Sequence, residues 1–102
     1  MNGKGEITVI DNVNHTASSR DVVERLRMEI DAIDDDVIRL LEKRFALSRA
    51  IGEEKKKEKR EVKDGKRETF ILEKIEKLAP EYNGEIALLY ARLFELSRGL
   101  QA

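Results

Sequence analysis

From Asp21 to Lys59 the chain has no proline and a single glycine, Gly52. Its apolar residues recur there at Val23, Leu26, Ile30, Ile33, Val37, Leu40, Leu47 and Ile51. Steps of three and four are the period of a helical seam, so one long helix is predicted over Asp21–Lys59. Thirty-nine helical residues reach about 58 Å at ~1.5 Å per residue. A compact domain of 100 residues has a radius of gyration of only about 13 Å. The two later helices are too short to cover such a seam. Two copies of the long helix packed together are the natural way to bury it.

The seam has one fault. Between Leu40 and Leu47 the rhythm calls for an apolar residue, and Arg44 stands there instead. A cation in an apolar seam has to be paired, solvated or held ready for an anion. Lys55 lies eleven residues, or three turns, further along nearly the same face, with Ser48 between them.

The remaining chain divides at turn formers. Residues 1–20 read as a flexible N-terminal tail, in which Ile7-Thr-Val-Ile10 is a candidate short strand. The tail holds the only histidine, His15, and a lone tail histidine is ordinarily just solvated. Residues 21–102 form the folded domain. Ser18 with Asp21, or Asp21 with Glu24, supplies a helix cap. Asp64-Gly65 breaks the first helix from the second, and Asp64 is placed to cap that second helix. The second helix is predicted over Lys66–Leu78, with Phe70, Ile71, Ile75 and Leu78 inward, and Pro80 ends it. A third helix is expected from Glu85 to the C-terminus, with Ile86, Leu89, Tyr90, Leu93 and Phe94 inward. Ser97 and Gln101 then continue its inner face as polar residues. The fold class is all-α, with three helices per chain, one very long, in a helical dimer.

Several function classes are excluded or disfavoured. The net charge of -1 gives no general attraction to nucleic acid. Acids at Glu53, Glu54, Glu58 and Glu61 interrupt the basic run Lys55–Arg60, and no aromatic residue lies nearby for base stacking. The chain has no cysteine, which rules out disulfides, thiolate metal sites and cysteine nucleophiles. Asp34, Asp35 and Asp36 fan out around a helix and cannot converge on one metal. The start lacks an apolar signal core and no run is long enough to span a bilayer, so a cytoplasmic location is expected. With one domain expected for 102 residues, four features stay out of place in a purely structural bundle. They are Arg44, Lys55, the pair Arg67-Glu68 and the pair Ser97/Gln101. A helical hairpin that brought them together would make a small cationic and polar pocket. Such a pocket is suited to holding a dianion in one shape and stabilising negative charge that grows on it. Singly, each residue has an ordinary structural explanation. By composition and periodicity alone the chain is a helical dimer that binds an anion, or a non-catalytic one.

Over roughly Val22–Gln101 the sequence resembles the all-helical, AroQ-type chorismate mutases. The matching pieces run in order. Leu26-Arg27-Met-Glu-Ile30-Asp31-Ala-Ile33-Asp34 is followed by Leu40-Leu41-Glu-Lys-Arg44 and Ile51-Gly52-Glu-Glu-Lys55. Val62-Lys-Asp64-Gly-Lys-Arg67-Glu68 and Ser97-Arg-Gly-Leu-Gln101 complete the set. The resemblance implies an intertwined homodimer of three-helix chains and a cofactor-free, metal-free isomerase. Its reaction is the Claisen rearrangement of chorismate to prephenate, on the way to phenylalanine and tyrosine. It also implies residue roles. Arg44 pairs with one substrate carboxylate, and Arg27 reaches the other from the partner chain. Lys55 and Gln101 donate to the ether oxygen. Glu68 accepts from the ring hydroxyl beside the Asp64 backbone, and Arg67 and Ser97 complete the shell. Two other activities on the same fold, an isochorismate pyruvate-lyase or an aminodeoxychorismate mutase, differ in their substrates at few atoms. A non-catalytic regulatory module is the alternative from a different class.

Overall fold

The structure is a computed structural model that describes residues 18–102. His15, the candidate strand at Ile7–Ile10 and most of the expected tail lie outside the described residues. Three helices follow one another: α1 over Ser19–Glu58, α2 over Gly65–Leu78 and α3 over Asn83–Gln101. Among the described residues no helix is long and apolar enough to cross a membrane. The chain divides into two compact units, one ending at Ile38 and one spanning Arg39–Ala102.

In the first unit, the start of α1 is capped by Ser18, whose Oγ accepts from the backbone N–H of Asp21 at 3.1 Å. Asp21 also sits in the first turn, where a negative charge suits the helix dipole. The seam residues Val23, Leu26, Ile30, Ile33 and Val37 are all exposed, at 43–59%.

In the second unit, α1 ends in a left-handed turn. Lys59 takes φ 58°, the Arg60 N–H reaches back to the Lys55 carbonyl at 2.8 Å, and the Lys59 N–H reaches the Lys56 carbonyl at 3.2 Å. This is the Schellman pattern, with lysine where glycine is usual. Asp64 then caps α2 as expected: its side chain accepts from the Arg67 N–H at 3.0 Å. Helix α2 stops at Leu78, and the Ala79 N–H closes on the Ile75 carbonyl at 2.9 Å. Pro80 follows and disfavours a helical conformation for Ala79. Helix α3 starts two residues earlier than the sequence suggests, because the Ile86 N–H already bonds the Tyr82 carbonyl at 3.0 Å.

The core of this unit is small. Ile71, Ile75 and Phe94 are buried, with Ile86 and Tyr90 packed against them. Tyr90 and Phe94 meet edge to face, with centroids 5.9 Å apart. Three residues expected inside are exposed: Phe70 at 52%, Leu78 at 77% and Leu89 at 67%. Ile71 and Ile75, one turn apart, claim the inner face of α2. Phe70 is a hundred degrees round from Ile71, where Arg67 and Lys74 lie over its ring at 5.3 and 5.7 Å. Leu40, Leu47 and Ile51, the rest of the seam, are exposed at 48–63%.

Candidate active site

One cavity of about 540 Å³ lies within the second unit, between the C-terminal part of α1, the turn after it, α2 and the end of α3. Leu47, Ile51, Val62, Ile71 and Phe94 supply its apolar lining. Five cations also line it (Arg44, Lys55, Arg60, Arg67 and Arg98), against three carboxylates (Glu54, Asp64 and Glu68). The excess of two positive charges matches a dianion.

Arg44 is partly buried. Its guanidinium donates to Ser97 Oγ at 2.8 Å and lies 5.5 Å from the centre of the Tyr90 ring. Ser97 is itself only 6% exposed, so the hydroxyl has given up water for this bond. Ser48, one turn beyond Arg44, is equally buried and lines the same cavity. Among the described residues no carboxylate pairs with Arg44. Its charge is held by a neutral hydroxyl and an aromatic face, which position a guanidinium without cancelling it.

Lys55 is built into the wall of the same cavity. Its ammonium donates to the Val62 carbonyl at 2.9 Å and to Gln101 Oε1 at 3.0 Å. The left-handed turn at Lys59 carries the chain back so that Val62 meets the lysine from which the turn began. An ammonium is a donor only, with three N–H bonds. The amide must therefore present its oxygen to Lys55, leaving its NH2 group to donate, and Lys55 keeps one N–H. Two donors, one charged and one neutral, are thus tied together beside the cavity.

Gly52 makes that junction possible. It is buried, one turn before Lys55, and a Cβ there would lie 2.5 Å from Gln101 Cα and 2.6 Å from its carbonyl oxygen. Only a residue without a side chain lets the end of α3 lie so close to α1. Gln101 is the last helical residue, and the Ala102 N–H bonds the Arg98 carbonyl at 3.0 Å, so helical hydrogen bonding continues to the end of the chain in spite of Gly99.

Of the residues proposed from sequence, the cavity gathers Arg44, Lys55, Asp64, Arg67, Glu68, Ser97 and Gln101. Arg27 lies in the other unit, where it pairs with Glu24 at 3.2 Å on an exposed surface. The lysine-rich end of α1 behaves as a solvated face: Lys56, Lys57 and Arg60 pair with Glu53, Glu54 and Glu58. Sequence reasoning missed Arg98, which lines the cavity and pairs with Glu68. The one signal for it was its place three residues before Gln101, on the neighbouring turn of the same helix.

Comparison with known proteins bears on this geometry. The chain is similar to a bifunctional chorismate mutase/prephenate dehydratase of Aquifex aeolicus (strain VF5), with 41% identity over 64 residues. That match covers 63% of this chain but 18% of the relative, so the chain spans about a fifth of that protein's length. No solved structure matches. The family described as chorismate mutase type II matches residues 26–102, which hold all of α2 and α3, most of α1 and every residue of the cavity. The chain belongs to the chorismate mutase type II family.

Proposed function

We propose that this chain converts chorismate to prephenate, and that the cavity around Arg44 and Lys55 is where it does so. The observation that carries the reading is the junction of Lys55 and Gln101 at 3.0 Å, with donors to spare, in a cavity that has two more cations than carboxylates. The reaction is unimolecular. One C–O bond breaks, one C–C bond forms, and no proton is transferred. What remains for a protein is to hold the enolpyruvyl arm over the ring and to stabilise the charge that grows on the ether oxygen. Lys55 and the Gln101 amide are donors of the right kind for that oxygen. Arg44, steadied by Ser97 and Tyr90, takes a substrate carboxylate as a planar fork. Glu68 accepts from the ring hydroxyl, with Asp64, Arg67 and Ser97 around it.

The working unit in this reading is a homodimer, with Arg27 of each chain supplying the second carboxylate site of its partner. The exposed seam supports it. Among the described residues only Ile71, Ile75 and Phe94 are buried apolar side chains, each stabilising by about 1.5–3 kcal/mol. Three such side chains are a small core for a chain of this length, and eight seam residues covered by a second copy add substantially to the buried apolar surface.

The test is disappearance of chorismate, with the product identified, for the purified protein and for Arg44→Ala. Prephenate formation that the substitution abolishes is the expected result. Silence on chorismate with pyruvate release from isochorismate assigns a lyase on this fold, turnover of 4-amino-4-deoxychorismate alone assigns an aminodeoxychorismate mutase, and silence on all three makes the chain a non-catalytic module. Sedimentation of the Arg27→Ala protein as an inactive dimer is the corresponding expectation for the shared site.

A further inference from the structure

The cavity is electrically uneven. Arg44 and Lys55 line it with charges that no carboxylate among the described residues pairs with. Glu68, by contrast, is held by the guanidinium of Arg98. The two side chains are 22% and 30% exposed, so this is not a pair in free solvent. Glu68 and Arg98 also line a second cavity, of about 510 Å³, whose other walls are mainly apolar, among them Leu72, Ala87, Leu88 and Ala91. Because both side chains are partly buried, their charges are felt more strongly than on an open surface.

Glu68 alone would offer the substrate ring a bare carboxylate. Such a group binds a hydroxyl, but it binds an ammonium better. With Arg98 beside it, the Glu68 carboxylate is neutralised, and the pair presents both an acceptor and a donor. A hydroxyl has one donor and two acceptor positions, so it can give its hydrogen to Glu68 and receive one from Arg98. An ammonium has donors only and meets the guanidinium as a like charge. We infer that Arg98 is a specificity-determining residue: by neutralising Glu68 it selects a ring that bears a hydroxyl over one that bears an ammonium at the same position. The inference rests on the proposed mutase function, in which Glu68 faces that substituent.

The experiment measures kcat/KM for chorismate and for 4-amino-4-deoxychorismate in the wild type, in Arg98→Met and Arg98→Gln, and in Arg98→Lys. Removing the charge is expected to reduce the preference for chorismate by about tenfold or more, since like-charge contacts are costly. Arg98→Lys is expected to keep the preference. An unchanged ratio in a folded neutral variant overturns the inference, and so does a lysine variant as unselective as the methionine one. Two neutral variants guard against one that fails to fold. The same preference read as a ratio of Kd values by calorimetry separates the two levels. A wild type that binds chorismate without rearranging it refutes the mutase reading, while the Kd ratios still decide the role of Arg98. A wild type that binds neither compound overturns both.

Discussion

Gly52→Ala is the substitution whose effect comes most directly from the packing. The new Cβ would stand 2.5 Å from Gln101 Cα and 3.0 Å from its carbonyl carbon. Carbon atoms rest at about 3.5–4.0 Å, so the end of α3 must retreat by about 1 Å or more. Overpacking of this kind costs about 1–3 kcal/mol. Alanine returns about 0.8–1 kcal/mol of helix propensity relative to glycine, so the net loss of stability is about 0–2 kcal/mol. A domain of this size then melts up to about 16 °C lower, at 4–8 °C per kcal/mol. The catalytic loss is larger in proportion. The Lys55–Gln101 contact at 3.0 Å opens beyond hydrogen-bond range, and a misplacement of about 1 Å costs about 100-fold in rate. The assay is kcat for prephenate formation alongside a thermal melt. Two controls sharpen it. Gly99→Ala, at a position with open space, should leave the melt unchanged or raise it. In a Gln101→Ala background Gly52→Ala should cost little further activity, because the two substitutions remove the same donor. A folded Gly52→Ala protein with kcat within about threefold of wild type would falsify the claim that this helix contact places Gln101.

Lys59→Gly should stabilise the chain. Lysine at φ 58° carries the left-handed penalty of about 1–2 kcal/mol, part of which is returned as the greater freedom of glycine when unfolded. A net gain of about 0.5–1 kcal/mol should appear as a higher urea midpoint at unchanged m, and a lower midpoint refutes it. Asp64→Ala should cost about 1 kcal/mol by removing the cap of α2, and Asp64→Asn should restore most of it. Chemical denaturation of the two variants decides between capping and a merely solvated aspartate. Gln101→Glu should create an acid-dependent enzyme. The wild-type amide donates without being protonated, whereas a glutamate donates only below its carboxyl pKa, ordinarily about 4.3, and Lys55 beside it favours the charged form. The rate of the variant should therefore rise as pH falls, and a rate as flat with pH as the wild type's around neutrality counts against donation from residue 101.

The site itself was unevenly legible. Arg44 was visible because it breaks a rhythm, and Lys55 because it repeats the same face three turns on. Asp64 was recognisable as a cap from local chemistry alone, which is where short polar side chains act on the backbone. Arg98 escaped notice because nothing about position 98 is anomalous within α3. Its significance comes from Glu68, thirty residues earlier, and no periodicity records a contact between different helices. Phe70, Leu78 and Leu89 were misplaced for a related reason. Hydrophobicity marks which residues prefer burial, but a short helix has room on its inner face for fewer residues than it has apolar side chains.

The helices, their caps and breaks, and the cationic character of the seam are dictated by the sequence by itself, because each depends on residues within about four positions of one another. The tertiary structure decided what those local facts add up to. It set Gly52 against the backbone of Gln101, tied Lys55 to both Gln101 and Val62, turned Ser97 toward Arg44 and gave Glu68 a cation. Each of these joins residues seven to fifty-three positions apart. Such contacts depend on the angle and depth at which helices pack, which is set by side-chain volume across the whole interface and not by any local run of residues.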